Sequence, residues 1–178
     1  MEDKNNDETK TETFERGLEL FIGHKPKEAI ACFLKVLKDD PEDTKALNLL
    51  GQSYGETGEQ AKAVDCLNKA LKLNPDYSLG YYDLGTIFAK NGKRGEAMVC
   101  LEKYLELQPS EDGHLVAWAL YSIACLHALG GRTEDALSFF EKALAEGLSE
   151  KNHIENDADL DQLRGDPRFI RLMNEHFR

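Results

Sequence analysis

The chain is short of the residue patterns that support catalysis or metal binding. Its 4 cysteines contain no C-x-x-C pair and its 5 histidines no H-E-x-x-H; neither a Walker string nor G-x-G-x-x-G occurs. These gaps remove the sequence support for a zinc site, a zinc protease or nucleotide binding, and no cofactor is expected. Basic residues are few: 22 Lys and Arg stand against 33 Asp and Glu, a net charge of −11. That field repels nucleic acid and anionic membrane, favours basic or neutral partners, and keeps the chain soluble. The start, MEDKNNDETK, has no apolar h-region, so no signal peptide is expected. The longest apolar run, residues 115–129, is interrupted by Ser122 and His127. A bilayer span needs about 20 apolar residues, so this run reads as a buried helix. No N-x-S/T site occurs, and a cytoplasmic, reducing location follows as the expectation.

What is present is a repeat. With 178 residues and 41% hydrophobic content, the chain has enough apolar material for one packed domain. Residues 44–77 read TKALNLLGQSYGETGEQAKAVDCLNKALKLNPDY, and variants lie on both sides. The units are 10–43, 44–77, 78–111 and 117–150, the last without a terminal proline. Within each, apolar residues recur at three and four, the helical period. A glycine near mid-unit (Gly58, Gly92, Gly131) ends a first helix. In the first unit Gly23-His24 does this, with Pro26 placed to open the second helix. Pro41, Pro75 and Pro109 block continuation. Gly51, Gly85, Ala63 and Ala97 lack bulk where two helices must approach. Each unit is thus a helical hairpin that cannot bury its apolar face alone, so the units must stack.

Residues outside the repeat have their own reading. Residues 1–9 are polar and acidic and are expected to be disordered. Five residues before Ala117 exceed the period; with Ser110 as cap and Glu111 and Asp112 in a first turn, they should lengthen the next helix by more than a turn. In 151–178, Asp166-Pro167 reads as cap and first helical residue, followed by a stripe of Phe169, Leu172, Met173 and Phe177. Leu160 and Leu163 form a shorter stripe, and the segment is expected to cap the last hairpin.

Through these residues, 10–150 resembles a tetratricopeptide-repeat array, and the end resembles the terminal unit of bacterial arrays of this kind. The resemblance implies an all-α, right-handed superhelical stack of about four helix pairs with a C-terminal cap. It implies protein binding and no catalytic residues.

Three chemical signals dissolve on inspection. Gly51-Gln52-Ser53-Tyr54-Gly55 matches G-x-S-x-G, but a nucleophile elbow needs a strand and a tight turn, and this string lies within a helix. Asp157, Asp159 and Asp161 alternate like a calcium loop, but Gln162 and Arg168 occupy the places that need glycine and glutamate. Cys32, Cys66 and Cys100 share one register position in three units. Stacked helices lie roughly 10 Å apart and a disulfide needs about 7 Å or less between Cα atoms, so the ladder reads as a copied, half-buried small residue. His127, where the repeat favours Tyr, reads as a core-edge substitute.

In the family the first helix of each hairpin lines the inner face. Carried over, the peptide-binding groove comprises Phe14, Leu18, Asn48, Leu49, Gln52, Tyr82, Asp83, Thr86, Trp118 and Tyr121, with Cys125 beside them. Asn48 and Gln52 could pair with an extended peptide backbone, and Asp83 could take a basic side chain. Trp118 and Tyr121 could instead pack under the terminal segment. A clamp for a C-terminal carboxylate is disfavoured: its places hold Phe14, Leu18, Leu49, Leu79 and Asp83, or one repeat on Asn48, Gln52, Asp83, Trp118 and Ser122, without cations. The expectation is a non-enzymatic adaptor or assembly scaffold for a protein or peptide, monomeric or weakly dimeric, with no nucleic-acid or membrane partner. The alternative is a chaperone-like protein for secreted or assembling subunits, dimerising through Phe14, Leu18, Phe21 and Ile22.

Overall fold

A computed structural model describes residues 3–107 and 113–178, and side chains from residue 9 onward. The expected cap at Ser110 with Glu111 and Asp112, and Pro109, lie outside the described residues. All regular elements described are helical. The chain forms two compact units, Met1–Ile87 and Phe88–Arg178, and each is taken by itself.

The first unit contains α1 (Asp3–Ile22), α2 (Pro26–Asp39), α3 (Thr44–Glu56), α4 (Gln60–Leu73) and most of α5 (Ser78–Lys90). The acidic stretch expected to be disordered is helical from Asp3 onward. It contains no proline or glycine, and extending an existing helix costs far less than starting one. Helices α3 and α5 begin at Thr44 and Ser78, the first residues of two repeat units. Asp43 caps α3 by accepting from the Ala46 amide at 2.9 Å. Pro26 opens α2. The core is built from Phe33, Val36, Leu47, Leu50, Leu67 and Leu71, all buried. The hairpins close because small residues sit at the crossings: a Cβ on Gly51 would lie 2.8 Å from Leu67 Cγ and 3.2 Å from the Ala63 carbonyl.

The turn between α1 and α2 departs from the others. Gly58, Gly92 and Gly131 take positive φ after their helices, whereas in the first hairpin His24 (φ 55°) takes that conformation, not Gly23. His24 is 34 residues before Gly58, so it stands at the glycine's register position.

The second unit contains α6 (Arg94–Glu106), α7 (Gly113–Leu129), α8 (Thr133–Ala145), α9 (Lys151–Asn156), a 3-10 turn (Ala158–Leu163) and α10 (Pro167–His176). At 17 residues, α7 exceeds the 13 of α3 and α5 by about one turn, in line with the extra residues. It is buried along most of its length, and among the described residues no helix is long and apolar enough to cross a membrane. Without a terminal proline, the fourth repeat stops its second helix, α8, just before Gly147 (φ 94°), and Leu148 returns to donate to the Ala143 carbonyl at 3.0 Å.

The C-terminal segment belongs to this unit's core. Ile154, Leu160, Leu163 and Phe169 are buried with Tyr121, Phe140 and Leu144, while Leu172, Met173 and Phe177 pack against the same cluster. Asp166 caps α10 through the Arg168 amide at 2.8 Å. Arg168 bonds Glu134 of α8 as well as Asp166.

Candidate partner-binding face

In the first unit, Phe14 and Leu18 lie on α1, Asn48, Leu49 and Gln52 on α3, and Tyr82, Asp83 and Thr86 on α5. The helical period sets Asn48 and Gln52 four residues apart, on one face. Both amides turn to the same atom: Asn48 Nδ2 donates to Asp83 Oδ2 at 2.9 Å and Gln52 Nε2 at 2.7 Å. Asn48 is only 1% exposed, and its Oδ1 is buried without a hydrogen-bond partner. It therefore supports Asp83 from below rather than meeting solvent, whereas Gln52 is half-buried. Burial pushes the Asp83 carboxyl up to about 6, and the two amide donors oppose that rise by favouring the charged form. Thr86 donates its hydroxyl to the Asp83 carbonyl at 2.9 Å. Phe14 is half-buried with its ring edge-on to Phe33, centroids 5.9 Å apart.

Ser53, of the G-x-S-x-G string, is fully buried in α3 and donates to the Leu49 carbonyl at 2.7 Å. A hydroxyl spent on its own helix backbone, away from solvent, has neither a base nor substrate access.

Trp118, Tyr121 and Cys125 lie on α7 in the second unit and contact the terminal segment there. Tyr121 is 3% exposed and donates its hydroxyl to Asp157 Oδ2 at 2.6 Å. The Cys125 thiol approaches the same oxygen at 3.8 Å. Asp157 Oδ1 meanwhile accepts from the Asp159 amide and caps the 3-10 turn. Trp118 packs edge-on to Tyr121 and to His153 of α9, centroids 5.5 and 5.1 Å apart, and donates its indole N–H to His114. Of the two readings of Trp118 and Tyr121, the contacts are those of packing under the terminal segment. Asp157, the hub of this arrangement, was legible in the sequence only as a turn residue.

The cysteines are all free thiols. Burial raises the pKa of Cys66, Cys100 and, most of all, Cys125, which lowers their thiolate content and reactivity. His127 is buried, stacks on Phe139 with centroids 5.3 Å apart, and is held below the usual imidazole range by desolvation.

Comparison with known proteins bears on the repeats. The family profile described as "Tetratricopeptide repeat" matches residues 76–145, and a second, "TPR repeat", matches 53–92. The chain belongs to the tetratricopeptide-repeat (TPR) family. A crystal structure of MamA is similar with a TM-score of 0.70 and 25% identity, over 85% of this chain and 84% of that one. The first TPR of Spaghetti (RPAP3), described bound to the HSP90 peptide SRMEEVD, has a TM-score of 0.55 and 23% identity over 79% and 94% of the two chains. A mutant O-GlcNAc transferase of Thermobaculum terrenum has a TM-score of 0.65 and 22% identity, over 76% of this chain but 26% of its own. No curated protein matches the chain significantly. As a TPR protein, the chain is a protein–protein interaction scaffold.

Proposed function

We propose that this TPR protein is a non-enzymatic adaptor that holds an exposed segment of a partner, extended or helical, on the first-helix face of its first unit. The observation that carries the reading is the Asn48–Gln52–Asp83 cluster on α3 and α5, flanked by half-buried Phe14, Leu18, Leu49, Tyr82 and Thr86. Apolar flanks supply area and the polar centre supplies register, the usual division of labour in peptide recognition. The peptide held by the RPAP3 repeat supports the use of such a fold for short segments. That peptide carries two Glu and a terminal Asp, whereas the centre of the present face is itself acidic, so a different ligand chemistry is expected.

A displayed random-peptide library panned against the full chain tests this. Binders should be enriched, and Tyr82→Ala or Thr86→Arg should weaken their capture by about tenfold, near 1.4 kcal/mol, with helicity by circular dichroism unchanged. Peptides that hold equally to both variants would sink the groove assignment.

A further inference from the structure

Asp83 is a carboxylate that meets no cation among the described residues. Among the described residues it makes no ion pair, and the groups that bond its carboxylate are two neutral amides. Both amides use Oδ2, leaving Oδ1 outside those two bonds. Asn48 turns its nitrogen to the acid, so its own Oδ1 is stranded in the interior without a donor. The cluster therefore holds a surplus of acceptors and lacks a positive donor. A half-buried carboxylate held by neutral donors alone, without a cation, is costly to a folded chain.

The repeat does not require that cost. The register position of Asp83 holds Glu15 in the first repeat, Leu49 in the second and, after the five extra residues, Ser122 in the fourth. The position of Asn48 holds Phe14, Tyr82 and Tyr121, and that of Gln52 holds Leu18, Thr86 and Cys125. No other repeat carries this trio, so stacking hairpins does not in general require it, although here the two amide bonds also tie α3 to α5.

We infer that the Asn48–Gln52–Asp83 cluster is a receptor for one basic side chain, a lysine ammonium or arginine guanidinium, presented by a segment of a partner protein. The inference rests on the partner-binding reading above and names the chemistry of the partner's anchor. Two amides fix the carboxylate before the cation arrives, so little reorganisation accompanies docking. A cation at Asp83 also removes the unfavourable state of the free protein, an interaction gained only on binding. The acid is ionised above about pH 6, which leaves it charged at neutral pH. Among the described residues, the uncharged Asn48 and Gln52 reach it from α3, and Tyr77, whose phenol is raised by burial and by Asp83, stays neutral.

The decisive variant is Asp83→Asn. It retains an oxygen to accept from both amides and deletes only the charge, so the fold should persist, which circular dichroism and unfolding curves check. Peptides enriched on the wild-type chain should share a Lys or Arg at one place. Affinity for such a peptide should fall about tenfold or more in Asp83→Asn, and equally when the peptide's Lys is replaced by norleucine, with no further loss when both changes are combined. Wild-type affinity should also fall between neutral pH and about pH 5, while that of the variant stays level. Enriched peptides with no shared basic residue, or equal binding by Asp83→Asn, overturn the cation inference and leave the adaptor reading standing. A library that enriches nothing overturns the adaptor reading, and this inference with it.

Discussion

Tyr121 donates its hydroxyl to Asp157 across 2.6 Å, and this bond joins α7 to the start of the 3-10 turn. The two residues are 36 apart in sequence, and both ends of the bond are mostly out of water. Asp157 uses its second oxygen on the Asp159 amide, so one side chain both caps a turn and docks the C-terminal segment.

Tyr121→Phe should therefore cost about 1.5–3 kcal/mol, the range for a hydrogen bond to a charged group in a desolvated place. Urea unfolding measures it. Limited proteolysis within residues 151–178 should accelerate in the same variant. If stability is unchanged and cleavage no faster, the bond does not hold the segment.

Stability should respond to pH through Asp83. Its folded carboxyl is pushed up to about 6, above the ordinary value near 3.8, so between those values the folded state binds the proton more tightly than the unfolded state. Protonation thus stabilises the fold as pH falls through 6, and the ionised group costs stability at neutral pH. Asp83→Asn should be more stable than wild type at pH 7.5 by roughly 1–3 kcal/mol, and the gap should close by about pH 4. Denaturation at the two pH values compares them. A variant less stable at both would mean that the charge contributes to the fold.

The first hairpin turn offers a gain in stability. His24 holds a positive φ at the register position of Gly58, and a side chain there costs roughly 1–2 kcal/mol. His24→Gly should return about 0.5–1 kcal/mol after the added freedom of the unfolded chain is subtracted. Gly58→Ala should lose about 1 kcal/mol by the same reasoning. Thermal unfolding of the pair, moving in opposite directions, is the check.

Much of the hairpin architecture was legible in the residues because it is local. The three- and four-residue period, the glycines that end first helices, Pro26 and the Asp166-Pro167 start all act within a turn or two of chain. The helix reaching back to Asp3 was missed because composition argues for disorder, while helix propagation depends on the neighbouring segment. The candidate face was legible as a set of positions but not as a set of roles. Register placed Asn48, Gln52, Trp118 and Tyr121 alike, as lining residues.

By itself, the sequence determined the repeat and the helical hairpins, since each hairpin's signals are short-range and recur every 34 residues. Only the tertiary structure decided that Asn48 sits beneath Asp83 while Gln52 remains beside it, and that Tyr121 and Cys125 turn to Asp157 of the terminal segment. These pairs span 31 to 36 residues, about one repeat, so neither partner's neighbours in sequence reveal the other. Burial and hydrogen-bond direction arise only when one hairpin packs on the next, and there residues of equal register acquire unequal surroundings.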